Sequence, residues 1–147
     1  MILMLDNNIL IEKLCHREPF YDTSNKVLML GVFGDADLYI STTMLTDIHY
    51  ILSREHGNQQ AQAILMENMG TLKLCGVSAA DSLWALQQQW PDFEDCLVAR
   101  AAENVKADFI VSRDVNGFKQ SKIQAISPED LLERIKDEKG ISYHEVL

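Results

Sequence analysis

Four aspartates stand where a divalent cation could be held by oxygen ligands alone. Asp6 directly follows an unbroken apolar run, residues 1–5, and Asp114 comes two residues after the run Ile110-Val111-Ser112. Asp47 and Asp95 lie in stretches of helical periodicity, each on the flank of the apolar stripe rather than opposite it. Hard cations such as Mg²⁺ and Mn²⁺ take carboxylate oxygens and keep several waters. Two such ions about 4 Å apart activate a water and steady the leaving oxygen in phosphodiester hydrolysis. That chemistry needs no histidine, cysteine or serine nucleophile. His16, His49, His56 and His144 show no metal-ligand spacing and read as surface or helix-edge residues.

Each acid also has a plainer reading. Asp6 and Asp114 could cap the helices that follow them. Asp47 could reach from the stripe edge into solvent; held at the flank, it would be partly desolvated and need a partner. Asp92 and Asp95 frame Asp92-Phe93-Glu94-Asp95. Acids favour the positive end of a helix, but three in four residues exceed what capping requires. Arg113, Lys119 and Lys122 cluster beside Asp114 and could meet substrate phosphates, or simply belong to a solvated loop.

The elements that carry these residues follow from periodicity. Residues 1–5 have the length and continuity of a strand buried on both faces, as in a parallel sheet. Helices are predicted over 8–17, 23–33 (capped by Asp22 or Thr23), 43–56, 59–69, 79–90 and 95–106. Strands are predicted over 38–41, 71–75, 108–112 and 122–126. Ser127-Pro128-Glu129-Asp130 places Ser at the N-cap and Pro at the first position of a final helix to about residue 137. Met44, Ile48, Ile51 and Leu52 form one inner stripe; Leu97, Val98, Ala101, Ala102 and Val105 form another. Helices alternating with short strands imply a three-layer α/β/α fold with a mainly parallel central sheet. In open parallel sheets, ligands bind beyond the carboxyl ends of the strands, where Asp6 and Asp114 should lie.

Composition bounds the rest. The 147 residues suit one domain, residues 1–147, with 47% hydrophobic and 24% charged residues. No run approaches the ~20 apolar residues of a membrane helix, and MILML is too short for a secretory segment, so a cytoplasmic location is expected. Cys15, Cys75 and Cys96 form no CxxC pair and read as free thiols. Thirteen basic against twenty-two acidic residues give a net charge of −9. That balance argues against nucleic-acid binding, which usually needs a basic footprint, and argues less if acids cluster around cations that invert the local field.

The sequence resembles the PIN-domain family of metal-dependent ribonucleases. Met1-Ile2-Leu3-Met4-Leu5-Asp6-Asn7-Asn8 is similar to the family's opening strand with its first acid, and Ser41-Thr42-Thr43-Met44-Leu45-Thr46-Asp47-Ile48 to the helix bearing the second. Asp92-Phe93-Glu94-Asp95-Cys96-Leu97-Val98-Ala99-Arg100-Ala101-Ala102 is similar to the third-acid helix, and Ala107-Asp108-Phe109-Ile110-Val111-Ser112-Arg113-Asp114 to the last strand and acid. The resemblance implies that Asp6, Asp47, Asp95 and Asp114 bind Mg²⁺ or Mn²⁺ and cleave RNA, with Asn8, Asp92 and Ser112 in support. It also implies dimerisation, and for many bacterial members a toxin role neutralised by a small antitoxin protein. Asp47 stands where many members have the longer glutamate, and Gly117 where an acid commonly precedes the phenylalanine.

Two functions compete. One is an endoribonuclease, as the toxin of a toxin–antitoxin pair. The other is a PIN-like RNA- or protein-binding module that has kept the fold but lost cleavage, which the acidic balance and the short Asp47 favour. A phosphatase fits poorly, because Asp6-Asn7-Asn8 lacks the second carboxylate of a DxD site and no GxSxG or phosphate-cradling glycine loop is present. The tail, residues 141–147, carries apolar residues that could pack on a second copy.

Overall fold

The computed structural model describes residues 1–143. Its elements run β1 (Ile2–Leu5), α1 (Asn7–Leu14), α2 (Tyr21–Val32), β2 (Asp37–Ser41), a 3₁₀ turn (Thr42–Met44), α3 (Leu45–His56), α4 (Asn58–Asn68), β3 (Leu72–Cys75), α5 (Ala79–Gln88), α6 (Phe93–Asn104), β4 (Phe109–Val111), a second 3₁₀ turn (Val115–Phe118), β5 (Ala125–Ile126) and α7 (Pro128–Lys139). The five strands form one sheet in the order β3-β2-β1-β4-β5, and every pairing is parallel.

Parallel neighbours need crossover connections, and these are almost always right-handed. The chain steps outward from β1 to β2 to β3, then returns across the sheet to β4 and β5. Reversing direction with the same hand puts the two sets of helices on opposite faces, which gives the three-layer α/β/α architecture. On one side α2 packs on β2 and touches α1 and α7; on the other, α6 lies on β1 and β4 and carries α5 outside it. Strand order reverses at β1, so the crevice falls between the carboxyl ends of β1 and β4. Leu3, Met4 and Leu5 of β1 and Ile110 and Val111 of β4 are fully buried, which fixes the floor of that crevice.

The helix stripes are buried as their spacing requires: Met44, Ile48 and Leu52 in α3, with Ile51 half-buried, and Leu97, Val98, Ala101 and Ala102 in α6, with Val105 half-buried. Among the boundaries that differ from expectation, three have a visible cause. Helix α2 starts at Tyr21, and neither Asp22 nor Thr23 caps it; Asp22 pairs with Lys26 at 2.9 Å, and the Thr23 hydroxyl donates to the Phe20 carbonyl. Helix α6 starts two residues early because Asp92 accepts from the Asp95 N–H at 3.0 Å. The strand expected over 122–126 shrinks to Ala125–Ile126. Among the described residues it is an edge strand paired with β4 alone, which is three residues long.

Cys75 and Cys96 are buried and Cys15 is half-buried; all three are free. Among the described histidines, His16 and His56 are exposed and His49 is half-buried at the edge of α3. Ile141 and Tyr143 pack against this chain's own core, and residues 144–147, with His144, lie outside the described residues. No described helix is long and apolar enough to cross a membrane.

Candidate metal centre

Asp6 caps α1 at the end of β1. Its carboxylate accepts from the Asn7 N–H at 2.9 Å and from the Ser112 hydroxyl at 2.8 Å, and only 7% of the residue is exposed. Ser112 directly follows β4, is fully buried, and also accepts from the Asp114 N–H at 3.0 Å. One hydroxyl therefore ties the acid of the first strand to the turn that presents the last. Asp114 caps the turn Val115–Phe118 through the Gly117 N–H, at 3.1 Å.

Helix α6 brings the third acid across the crevice. Asp92 holds its first turn, which aims the half-buried Asp95 toward Asp114. The meeting point is Gly117. A methyl group placed on its Cα would lie 2.6 Å from one Asp114 oxygen and 3.0 Å from one Asp95 oxygen. Two carboxylates from residues nineteen apart thus share one small space, open because this residue has no side chain. Gly117→Ala should force both carboxylates aside. The expected result is Mn²⁺ affinity reduced at least about tenfold, as for other disturbed metal surroundings, with little change in melting temperature; calorimetric titration and a thermal melt check both.

The electrostatics carry the imprint of this crowding. Burial pushes Asp95 up to about 7, helped by the negative charges of Asp92, Asp6, Asp114 and Glu94. Asp6 is also raised, chiefly by burial; the donors Ser112 and Asn7 oppose the rise, and Asp114 and Asp92 add to it. Among the described residues no ion pair involves Asp6, Asp47, Asp92, Glu94, Asp95 or Asp114. Among the described residues, then, the negative charge at the crevice has no ion-paired counter-charge.

Asp47 stands apart from the other three. Like Asp114 it is exposed, here in the first turn of α3, not partly desolvated, but it meets the group only through Glu94. Burial raises the Glu94 carboxyl, followed by the charge and hydrogen bonding of Asp47 and the charges of Asp92 and Asp6. Glu94 is the functional candidate that sequence reasoning left without a role; the signal was its place between two aspartates. Asn8 is exposed in the first turn of α1.

The three cations expected beside Asp114 separate. Lys119 is exposed, and Lys122 is 84% exposed and 3.9 Å from Glu103. With Asn116, Ser121 and Gln124 they line an acid-free groove of about 360 Å³ beside the Asp114 turn. Arg113 does not face the crevice. Its guanidinium is directed to the opposite side, where Glu12, Glu129 and Thr23 hold it. Side chains alternate along an extended chain; with Ser112 and Asp114 facing the crevice, the residue between them must face away.

The donor set suits a hard divalent cation: every candidate ligand is a carboxylate, they converge at one crevice, and no neutralising partner accompanies them. Among the described residues no three such side chains already stand in a closed coordination shell. Asp6, Asp92 and Asp114 each accept from a backbone N–H as the cap of the turn that follows. In this chain Asp6, Asp95 and Asp114 would hold the ion, with Asp92 and Glu94 at the margin and Asp47 outermost.

Comparison with known proteins agrees with this fold. No curated protein matches the chain. Among solved structures it is similar to VapBC2 from Rickettsia felis, bound to a DNA fragment from their promoter, with 22% identity and a TM-score of 0.63 over 86% of this chain and 98% of that one. A toxin–antitoxin complex from Klebsiella pneumoniae is similar at 17% identity and TM-score 0.61, covering 86% and 97%. VapC20 from Mycobacterium tuberculosis, a toxin that cleaves the sarcin–ricin loop, is similar at 12% identity and TM-score 0.58, covering 74% and 86%. These likenesses share the fold. The family model described as the PIN domain matches residues 3–116, from the first buried strand through the Asp114 turn, and the chain belongs to the PIN-domain family.

Proposed function

We propose that this protein is a divalent-metal-dependent endoribonuclease that hydrolyses RNA phosphodiester bonds as the toxin of a toxin–antitoxin pair. The observation that carries the reading is the uncompensated carboxylate cluster at the β1–β4 crevice, with Asp95 pushed up to about 7. Family membership and the likeness to toxin–antitoxin structures support it. When bound, Mg²⁺ or Mn²⁺ would supply an activated water and charge neutralisation at the phosphate.

The chain's own residues do the rest. Asp6, Asp95 and Asp114 would hold the ion, and Asp47 and Glu94 add negative charge beside them. Ser112 holds the Asp6 carboxylate in place. Lys119 and Lys122 offer ammonium groups to backbone phosphates in the acid-free groove, binding RNA where the net charge of −9 would otherwise repel it. A small antitoxin protein and a second copy of the chain are the proposed partners.

Purified protein incubated with structured RNA should cleave it in Mn²⁺ or Mg²⁺ and stop on adding EDTA. Intact RNA, with no heat of metal binding by calorimetry, would reject the reading. The exposed Asp47 favours a second reading, a binding module without cleavage; one bound ion together with tight RNA binding and no products would select it.

A further inference from the structure

We propose that Arg113 is a positioning residue for the metal-holding acids, anchoring the segment Ser112–Asp114 from behind the crevice. The inference rests on the metal-dependent reading above. It assigns Arg113 a role opposite to that of a phosphate-binding arginine.

The guanidinium is satisfied on every side. Its Nε donates to both Glu12 oxygens at 2.9 Å, and Nη1 donates to Glu129. Nη2 donates to the Thr23 hydroxyl at 2.7 Å, with longer contacts to the Ser24 hydroxyl and the Phe20 carbonyl, both 3.4 Å. The plane lies over the Phe20 ring at 4.4 Å. The Ser24 hydroxyl, fully buried, donates to the same Glu12 at 2.6 Å, and the Thr23 hydroxyl shares its one proton between the Phe20 carbonyl and Glu129, each at 3.2 Å. One side chain thus joins the end of β4 to α1, α2 and the first turn of α7. Arg113 keeps 17% and Glu12 10% of its side chain exposed, so solvent competes weakly for these bonds.

Its neighbours in the chain are site residues. Ser112 donates to Asp6 and accepts from the Asp114 N–H, and Asp114 shares the space at Gly117 with Asp95. A shift of the Arg113 backbone would move both together. Sequence position makes the division of labour unavoidable: residues 112 and 114 face the acids, and residue 113 faces the helices. Only arginine presents a rigid fork of donors that can satisfy two carboxylates and a hydroxyl at once; lysine keeps the charge but not the fork.

The test compares wild type, Arg113→Lys and Glu12→Gln by Mn²⁺ titration calorimetry and by RNA affinity across a salt series, with kcat and KM where cleavage is present and circular dichroism to verify folding. Arg113→Lys should weaken Mn²⁺ binding roughly tenfold or more and lower kcat by a similar factor. KM and the salt slope should not move. Glu12→Gln leaves the guanidinium in place but loosens its anchor, and should shift the same two quantities in the same direction; it decides the matter if Arg113→Lys does not fold. Wild-type Mn²⁺ affinity in the folded variants overturns the inference. So does a raised KM with a salt slope shallower by about one charge, the mark of a lost phosphate contact. Wild-type protein that binds Mn²⁺ but leaves RNA intact removes only the nuclease reading, since metal affinity still reports on Arg113; wild-type protein that binds no Mn²⁺ removes both.

Discussion

Asp95→Asn should abolish RNA cleavage while making the metal-free protein more stable. The carboxylate lies among Asp92, Asp6, Asp114 and Glu94 with no cation paired to it, so ionising it in the folded state is costly. Asparagine keeps the shape and removes the charge. With one candidate ligand gone, the loss of activity should be at least about 10³-fold, equivalent to roughly 4 kcal/mol of transition-state stabilisation. In EDTA at pH 8 the variant should melt several degrees above wild type, because the repulsion is relieved, and Mn²⁺ should no longer raise its melting temperature. Asp81→Asn is the contrasting control. Asp81 also lies in the first turn of a helix, α5, but the Ser78 N–H and Arg100 hold its carboxyl down to about 2. That acid is fully compensated, so its removal should lower stability and leave cleavage intact. Activity surviving in Asp95→Asn would remove Asp95 from the site.

The difference between these two aspartates marks how far the sequence reaches. The apolar run 1–5 ending abruptly at Asp6, the Ser127-Pro128 helix start and the stripes of α3 and α6 are local signals, and they place the sheet, its direction and the acids at its carboxyl edge. A local signal cannot state which charges are compensated. The partner of Asp81 is Arg100 and the crowding at Asp95 comes from Asp6 and Asp114; both are set by how crossovers bring distant segments together. The place of Arg113 shows the same limit. Nearness to Asp114 in the chain suggested a shared direction, whereas strand alternation turns it toward Glu12, 101 positions earlier. Thr23 looked like a cap for α2 because nothing local shows that Arg113, 90 positions later, donates to its hydroxyl. Glu94, a plain surface acid in the second position of a helix, gains a role only because α3 sets Asp47 beside it.

The same crowding fixes how stability should depend on pH. Asp95 has a carboxyl at about 7 in the folded protein and near its ordinary 3.8 once unfolded. Between those values the folded state binds the extra proton, so stability falls as pH rises and the full penalty is present above about 7. Asp6 and Glu94 are also raised and add in the same direction. Asp81 has the opposite sign, but its window lies below 3.8 and contributes nothing between pH 5 and pH 8. Three pKa units correspond to about 4 kcal/mol; Asp95 is only half-buried, and solvent screening reduces this to roughly 1–2 kcal/mol. A drop in melting temperature of about 5 °C from pH 5 to pH 8 is therefore expected in EDTA. Saturating Mn²⁺ should restore most of it at pH 8 and do little at pH 5, because the ion binds the carboxylates only after they have lost their protons. Differential scanning calorimetry at the two pH values, with and without Mn²⁺, reads all four states. A melting temperature that does not fall with pH in EDTA, or an equal Mn²⁺ shift at both pH values, would mean that these acids are not held together against their own repulsion, and the metal centre would lose its physical basis.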